Sequence, residues 1–243
     1  MSTDPAAGPV PDGTPADAGC AVTKLSVGYA KVPVVSDIDL VIPTGAVVTL
    51  LGRNGAGKTT LLNTLAGLIP PISGELRLLG KRPPASLYRR VRQGVGLISE
   101  ERSIIRRLSV IDNLRVGSGS PDRAFSIFPE LVRLKNRRAG LLSGGEQQML
   151  ALGRVLAAEP KVLLIDELSQ GLGPMIVERL LTEVRRAASE AGTSVLLVEQ
   201  QAATALSVAD FAYVISGGRI AMSGSAIDLQ RRWGEIELLY LSN

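Results

Sequence analysis

The chain has 243 residues, enough for one large α/β domain or a core that carries an inserted subdomain. It has no histidine, one cysteine (Cys20) and a net charge of +4, which excludes His-based triads, an intrachain disulfide and cysteine-based metal clusters. No apolar run approaches the roughly 18 residues of a membrane span, and the N-terminus has neither a basic n-region nor an apolar h-region, so the expectation is a cytoplasmic protein without a signal peptide.

Met1 to Gly19 is rich in Pro, Gly, Ala and Asp and lacks apolar periodicity, so it reads as a disordered tail, with folded structure starting near Ala21. Val22–Val27 and Val34–Ile42 are strand candidates, and Pro43-Thr44-Gly45 turns into the apolar run Ala46–Leu51. There follows Gly52-Arg53-Asn54-Gly55-Ala56-Gly57-Lys58-Thr59-Thr60, which fits the phosphate-binding pattern G-x-x-x-x-G-K-[ST]. Leu61, Leu62, Leu65 and Leu68 come next at helical spacing, so the pattern sits between a strand and a helix, as its chemistry requires. Glycines let successive backbone amides close on a phosphate, and a helix N-terminus adds partial positive charge. Lys58 can reach the β- and γ-phosphates and the Thr59 hydroxyl can ligate Mg²⁺, which makes ATP with Mg²⁺ the expected ligand pair.

Pro70–Gly74 is a turn, Glu75–Leu79 a short strand, Ser86–Arg92 a helix and Val95–Ile98 a buried strand. From Glu100 to about Ala158 the pattern turns helical, over Asp112–Val116, Ala124–Leu134 and Glu146–Ala158. Alternation then resumes, with strands at Val162–Ile165, Ser194–Val198, Ala212–Ile215 and Arg219–Met222 and helices at Ile176–Ala191 and Ala202–Val208. Such alternation specifies an α/β fold with a mostly parallel sheet and helices on its faces. The expected divisions are a tail over 1–20, a first part of the core over 21–99, a helical insertion over 100–158 and a second part of the core over 159–243.

Two further sites stand out. The run Val162–Ile165 ends in Asp166 and Glu167, and ligands in open α/β sheets lie beyond the carboxyl ends of the strands. Asp166 can therefore hold Mg²⁺ and Glu167 can polarise an attacking water. Ser143 and Glu146 form the S-x-x-E pattern of a capping box, and Ser143 with the Gly144 and Gly145 amides also offers anion donors at a helix start. The basic clusters Lys81–Arg92, Arg102–Arg107 and Arg133–Arg138 read as solvated faces or as docking surfaces for a membrane protein or anionic lipid. With 3% aromatics there is little material for stacking on nucleic-acid bases.

Taken together, Leu142-Ser143-Gly144-Gly145-Glu146-Gln147-Gln148 between the phosphate loop and the Asp166-Glu167 pair resembles the signature of ATP-binding cassette (ABC) ATPases, over about Ala21 to Asn243. The resemblance implies a P-loop ATPase core with an N-terminal antiparallel β-subdomain and an inserted helical subdomain. It also implies head-to-tail dimers, in which each ATP lies between one subunit's Gly52–Thr60 loop and the other's Ser143–Gln148, and adenine stacked on Tyr29. Phe128-Pro129-Glu130-Leu131, the tail Leu239-Tyr240-Leu241 and Val198-Glu199-Gln200 resemble the ATPase subunits of branched-chain amino acid importers more narrowly. That likeness implies Gln200 at the γ-phosphate in place of histidine, Glu100 near Mg²⁺ in place of glutamine, and permease subunits, a paralogous or identical second ATPase subunit and, indirectly, an extracytoplasmic solute-binding protein as partners. Leu168, Gln170 and Gly173 depart from the family pattern, which usually has proline after the acid pair. Importers of urea or short amides, and soluble ABC ATPases without a transport role, remain open alternatives.

Overall fold

In the computed structural model, which describes residues 18–101 and 103–241, the first strand β1 (Ala18–Tyr29) starts before Ala21. Its early residues are held by both neighbours: Cys20 faces Ile42 on one side and Leu78 on the other, and is fully buried. The expectation of a disordered tail falls on residues outside those described, apart from Ala18, Gly19 and Cys20, which are strand; Arg102 of the second basic cluster is also outside them. β1 is the centre of a three-stranded antiparallel sheet with β2 (Val32–Pro43) and, after the phosphate-loop strand β3 (Val47–Leu51), β4 (Ser73–Leu78).

The second sheet has six strands in the order β5-β6-β7-β3-β8-β9, with β5 at Val95–Ile98, β6 at Val162–Asp166, β7 at Ser194–Glu199, β8 at Phe211–Ser216 and β9 at Arg219–Ser225. All pairs are parallel except the β8–β9 hairpin, which turns on Gly217 and Gly218. The continuous apolar runs have the reason expected for strands covered on both faces. In β3, Val47 and Leu51 face one core while Val48 and Leu50 face the other; in β6, Leu163 and Ile165 alternate with Val162 and Leu164 in the same way. The helix α1 (Lys58–Ala66) fills the space between the two sheets through Leu61, Leu62 and Leu65.

The remaining helices are α2 (Leu87–Arg92), α3 (Val110–Val116), α4 (Pro121–Ile127), α5 (Gly144–Leu156), α6 (Pro174–Ala191), α7 (Ala202–Leu206), α8 (Ala226–Arg231) and α9 (Trp233–Leu241). Three differences from the sequence reading have local causes. Leu68 lies past α1, because Gly67 ends that helix with φ 86°, and it is exposed. The helix expected over Ala124–Leu134 is two pieces: α4 stops at Phe128, and a 3₁₀ helix runs over Pro129–Leu134. Pro129 cannot donate to the preceding turn and drives Phe128 out of the helical region, to φ −125° and ψ 79°. The C-terminal helices α8 and α9 extend beyond the elements read from sequence; Ser225 caps α8 by accepting from the Asp228 amide at 3.1 Å.

This order brings the carboxyl ends of β3, β7 and β6 side by side. Leu51 is opposite Glu199, and Asp166 is opposite Val198. The phosphate loop, the Asp166-Glu167 turn and Gln200 all leave from this edge, whereas the Ser143 loop follows a 3₁₀ turn at Ala139–Leu141.

Candidate active site

The phosphate loop begins where β3 ends. Gly55 and Gly57 have φ of 83° and 95°, in the left-handed region where a side chain is strained. A Cβ on Gly57 would also collide with Val35 of β2. Gly57 is the N-cap of α1 and offers no side chain to its first amides, and the first turn has no acid. The helix therefore opens on the loop with its donors directed to an anion.

Lys58 is 5% exposed and folds over its own loop, donating to the Gly52 carbonyl at 2.7 Å and the Arg53 carbonyl at 3.0 Å. Burial pulls its pKa down; the carboxylates of Glu167, Asp166 and Glu199 act in the opposite direction. Lys58 and Thr59 line a cleft of about 280 Å³ with Asn54, Glu100, Glu167 and Gln170. A second recess of about 350 Å³ adjoins it, bordered by Arg53, Ala56, Gly217 and Leu239; Val34, Asn54 and Gly55 line both. A larger groove of about 830 Å³ runs between α6 and α7, away from this loop. Its arginines are already paired, Arg185 with Asp210 at 2.5 Å and Arg186 with Glu190 at 2.9 Å, so it is the poorer anion site.

Asp166 ends β6, is 2% exposed and accepts a hydrogen bond from the Thr59 side chain. Its Oδ1 has no hydrogen-bond partner. Burial raises its pKa, and the charges of Glu167 and Glu100 raise it further. An orphaned carboxylate oxygen next to a hydroxyl is a donor set suited to a hard cation. Among the described residues no group of three or more acids, histidines or cysteines surrounds a metal on its own. Mg²⁺ sites that use one or two carboxylates plus substrate phosphates need no such cage.

Glu167 follows with φ 49°, a left-handed conformation that costs a non-glycine residue about 1–3 kcal/mol. Its amide is fixed to the Val198 carbonyl at 3.0 Å. Leu168 is 1% exposed and sits in the core on the helical side, so burial anchors this turn where a proline would anchor it by fixed φ. Gly173 is the N-cap of α6 in extended conformation, without a side-chain cap.

Ser143 caps α5 in a complete capping box: its hydroxyl oxygen accepts from the Glu146 amide at 3.3 Å, and Glu146 accepts from the Ser143 amide at 2.8 Å. That amide bond is the main reason the Glu146 pKa is lowered. Gly144 opens the helix, and Gly145 is buried where a Cβ would press on Ile176 of α6. None of Ser143 to Glu146 lines either recess at the phosphate loop. Tyr29 is 56% exposed at the end of β1, paired with Val32 of β2, and lines neither recess. Gln200 is exposed just past β7, and its carbonyl accepts from the Tyr240 hydroxyl at 3.2 Å.

Two groups at the site escaped the sequence reading. Glu199, 2% exposed, accepts from the Ser169 amide and hydroxyl, both at 2.9 Å. It lies between the phosphate-loop strand and Asp166, and the signal for it was present: an apolar run ending in an acid, the same grammar that marks Asp166. Gln170, noted only as a departure, lines the cleft. The Phe128–Leu131 motif has a packing role, with Phe128 fully buried and Glu130 paired to Arg179 at 3.0 Å.

The family model described as ABC transporter matches residues 35–170. The chain is 40% identical over 218 residues to the high-affinity branched-chain amino acid transport ATP-binding protein BraG of Pseudomonas aeruginosa, covering 84% of this chain and 92% of that one. It is 32% identical over 219 residues to the probable branched-chain amino acid transport ATP-binding protein LivF of Archaeoglobus fulgidus, covering 85% and 92%. A solved structure of an ATP binding subunit of an ABC transporter superposes with a TM-score of 0.78 at 27% identity, over 91% of this chain and 98% of that one. The family match runs across the phosphate loop, the Ser143 loop and the Asp166-Glu167 pair, and the chain belongs to the ABC transporter family, among its nucleotide-binding ATPase subunits.

Proposed function

We propose that this chain is the ATP-hydrolysing subunit of an importer that powers uptake of branched-chain amino acids through separate transmembrane subunits. The observation that carries the reading is the convergence of Lys58, Thr59, Asp166 and Glu167 at the carboxyl ends of β3 and β6. The substrate class is supported by the names of the two relatives.

In this reading the amides of Gly52 to Thr60, including those of Arg53, Asn54, Gly55, Ala56 and Gly57, bind the phosphates of ATP. Lys58 leaves the Gly52 and Arg53 carbonyls to contact the β- and γ-phosphates. Thr59 and Asp166 hold Mg²⁺, with Glu100 contributing from across the cleft. The metal, when bound, would neutralise the charge that develops on the phosphates. Glu167 takes a proton from water as the water oxygen bonds to the γ-phosphorus and the bond to ADP breaks. The Gln200 amide donates to a γ-phosphate oxygen, and Tyr29 stacks on adenine. Ser143, Gly144, Gly145 and Glu146 face the ATP of a second ATPase subunit, paralogous or identical.

The permease subunits would bind from the membrane side, and a solute-binding protein would act with them outside the cell. No helix among the described residues is long and apolar enough to cross a membrane. In this reading the chain sits peripherally on the inner face, against the permease subunits. Nucleic acid is not a partner in this reading. The test is ATP-dependent uptake into vesicles that carry the chain with its co-purified transmembrane subunits. Labelled leucine, isoleucine and valine should accumulate. Uptake of urea or short amides instead would transfer the substrate to the alternative, and failure to associate with any membrane subunit would overturn the transport role.

A further inference from the structure

The C-terminal helix reaches the phosphate loop. Leu239 borders the recess beside Asn54 and Gly55. The Tyr240 hydroxyl donates to the Gln200 carbonyl at 3.2 Å and accepts a hydrogen bond from the Gly52 amide. One hydroxyl thus joins the first residue of the phosphate loop to the first residue after β7. The parallel β3–β7 ladder ends just before this point, at Leu51 opposite Glu199, so the phenol spans the two strands where their own pairing stops.

The placement of Tyr240 is built, not incidental. Ile236, one turn earlier in α9, is 1% exposed, and the Tyr240 ring packs against the same core. Burial pushes the phenol pKa up to about 12, so the hydroxyl keeps its proton near neutral pH and can donate and accept at once. The family match ends at Gln170, so nothing in it assigns a role to α9.

We propose that Tyr240 is a positioning residue for hydrolysis: its hydroxyl ties Gly52 to Gln200 and holds Gln200 in register with the phosphate loop. The catalytic consequence rests on the reading of Gln200 as a γ-phosphate donor. The Gln200 side chain is exposed and its backbone has just left the sheet, so the tie sets where its amide points. Misplacing a catalytic group by about 1 Å can cost on the order of 10²-fold in rate.

Tyr240→Phe in the full chain removes the hydroxyl and keeps the ring. Amide hydrogen exchange over 199–202 and 52–57 should quicken by at least about fivefold, while the β1–β2 amides stay unchanged. The kcat for ATP hydrolysis should fall about tenfold with ATP affinity changed less than about twofold, a split that a purely structural loss would not give. Gln200→Ala should lower kcat, and adding Tyr240→Phe to it should lower kcat no further. Unchanged exchange in both segments overturns the tie. Additive losses in the double variant overturn the claim that Tyr240 acts through Gln200. A Gln200→Ala variant with wild-type turnover overturns the Gln200 reading, and the catalytic consequence with it, whatever the exchange result.

Discussion

The buried carboxylate of Glu199 accepts both the amide and the hydroxyl of Ser169, each at 2.9 Å, and so fastens the loop after Glu167 to the strand before Gln200. Glu199→Ala leaves two buried donors of Ser169 unpaired, at a cost of roughly 3 kcal/mol. Glu199→Gln can keep both contacts, with its oxygen on the amide and its nitrogen on the hydroxyl. Thermal unfolding should therefore show a large loss for alanine and a small change for glutamine; equal losses would contradict the hydrogen-bonding account.

The same pair predicts a pH dependence. Burial raises the Glu199 pKa above the ordinary carboxylate value, the Ser169 bonds lower it, and the nearby Glu167 charge raises it. From about pH 4.5 upward to the raised pKa, the folded chain holds more of this proton than the unfolded chain does. Stability from this group is thus present at low pH and lost as pH rises through that window. Glu199→Gln lacks this loss, so its stability relative to wild type should improve between pH 4.5 and neutrality, as followed by denaturant unfolding at about five pH values. A difference that stays flat with pH would refute the assignment.

Arg90 closes the other end of α1. Its guanidinium is 3% exposed and donates to the Thr64 carbonyl at 2.7 Å, the Leu65 carbonyl at 2.6 Å and the Pro84 carbonyl at 2.7 Å. It satisfies carbonyls that a helix end leaves open and sits at the negative end of the helix dipole. Arg90→Met should cost about 2–3 kcal/mol, lowering Tm by roughly 5–10 °C. Lysine, with a single nitrogen, should recover only part of this loss. An unchanged Tm for the methionine variant would show that water replaces these bonds freely.

Gly173 begins α6 with open space where a side chain would stand. Gly173→Asp should add an N-cap and favour the helix dipole, raising stability by a few tenths of a kcal/mol, about 1 °C in Tm. A loss of stability would mean that this cap position must stay bare.

The phosphate loop, the Ser143 cap and the Asp166-Glu167 pair were legible because each is written in consecutive residues. The alternation of apolar runs also gave the parallel sheet, since each strand is covered on both faces. Glu199 with Ser169 lies 30 residues apart and is brought together by the pairing of β6 with β7; Tyr240 with Gln200 lies 40 apart and is brought together by the packing of α9 on the core. The break at Phe128 is legible from Pro129, whose missing amide donor overrides the helical periodicity that runs across it. The capping pattern Ser225-x-x-Asp228 likewise announced α8.

Glu167 is central to the account, and Glu167→Gln tests it most directly. The variant keeps size and hydrogen bonding but cannot accept a proton as the carboxylate does. Single-turnover hydrolysis, measured with ATP affinity in the same preparation, should fall by about 10²–10³-fold while binding is kept within a few-fold. Wild-type turnover in that variant would show that Glu167 is not the base and would contradict the mechanism.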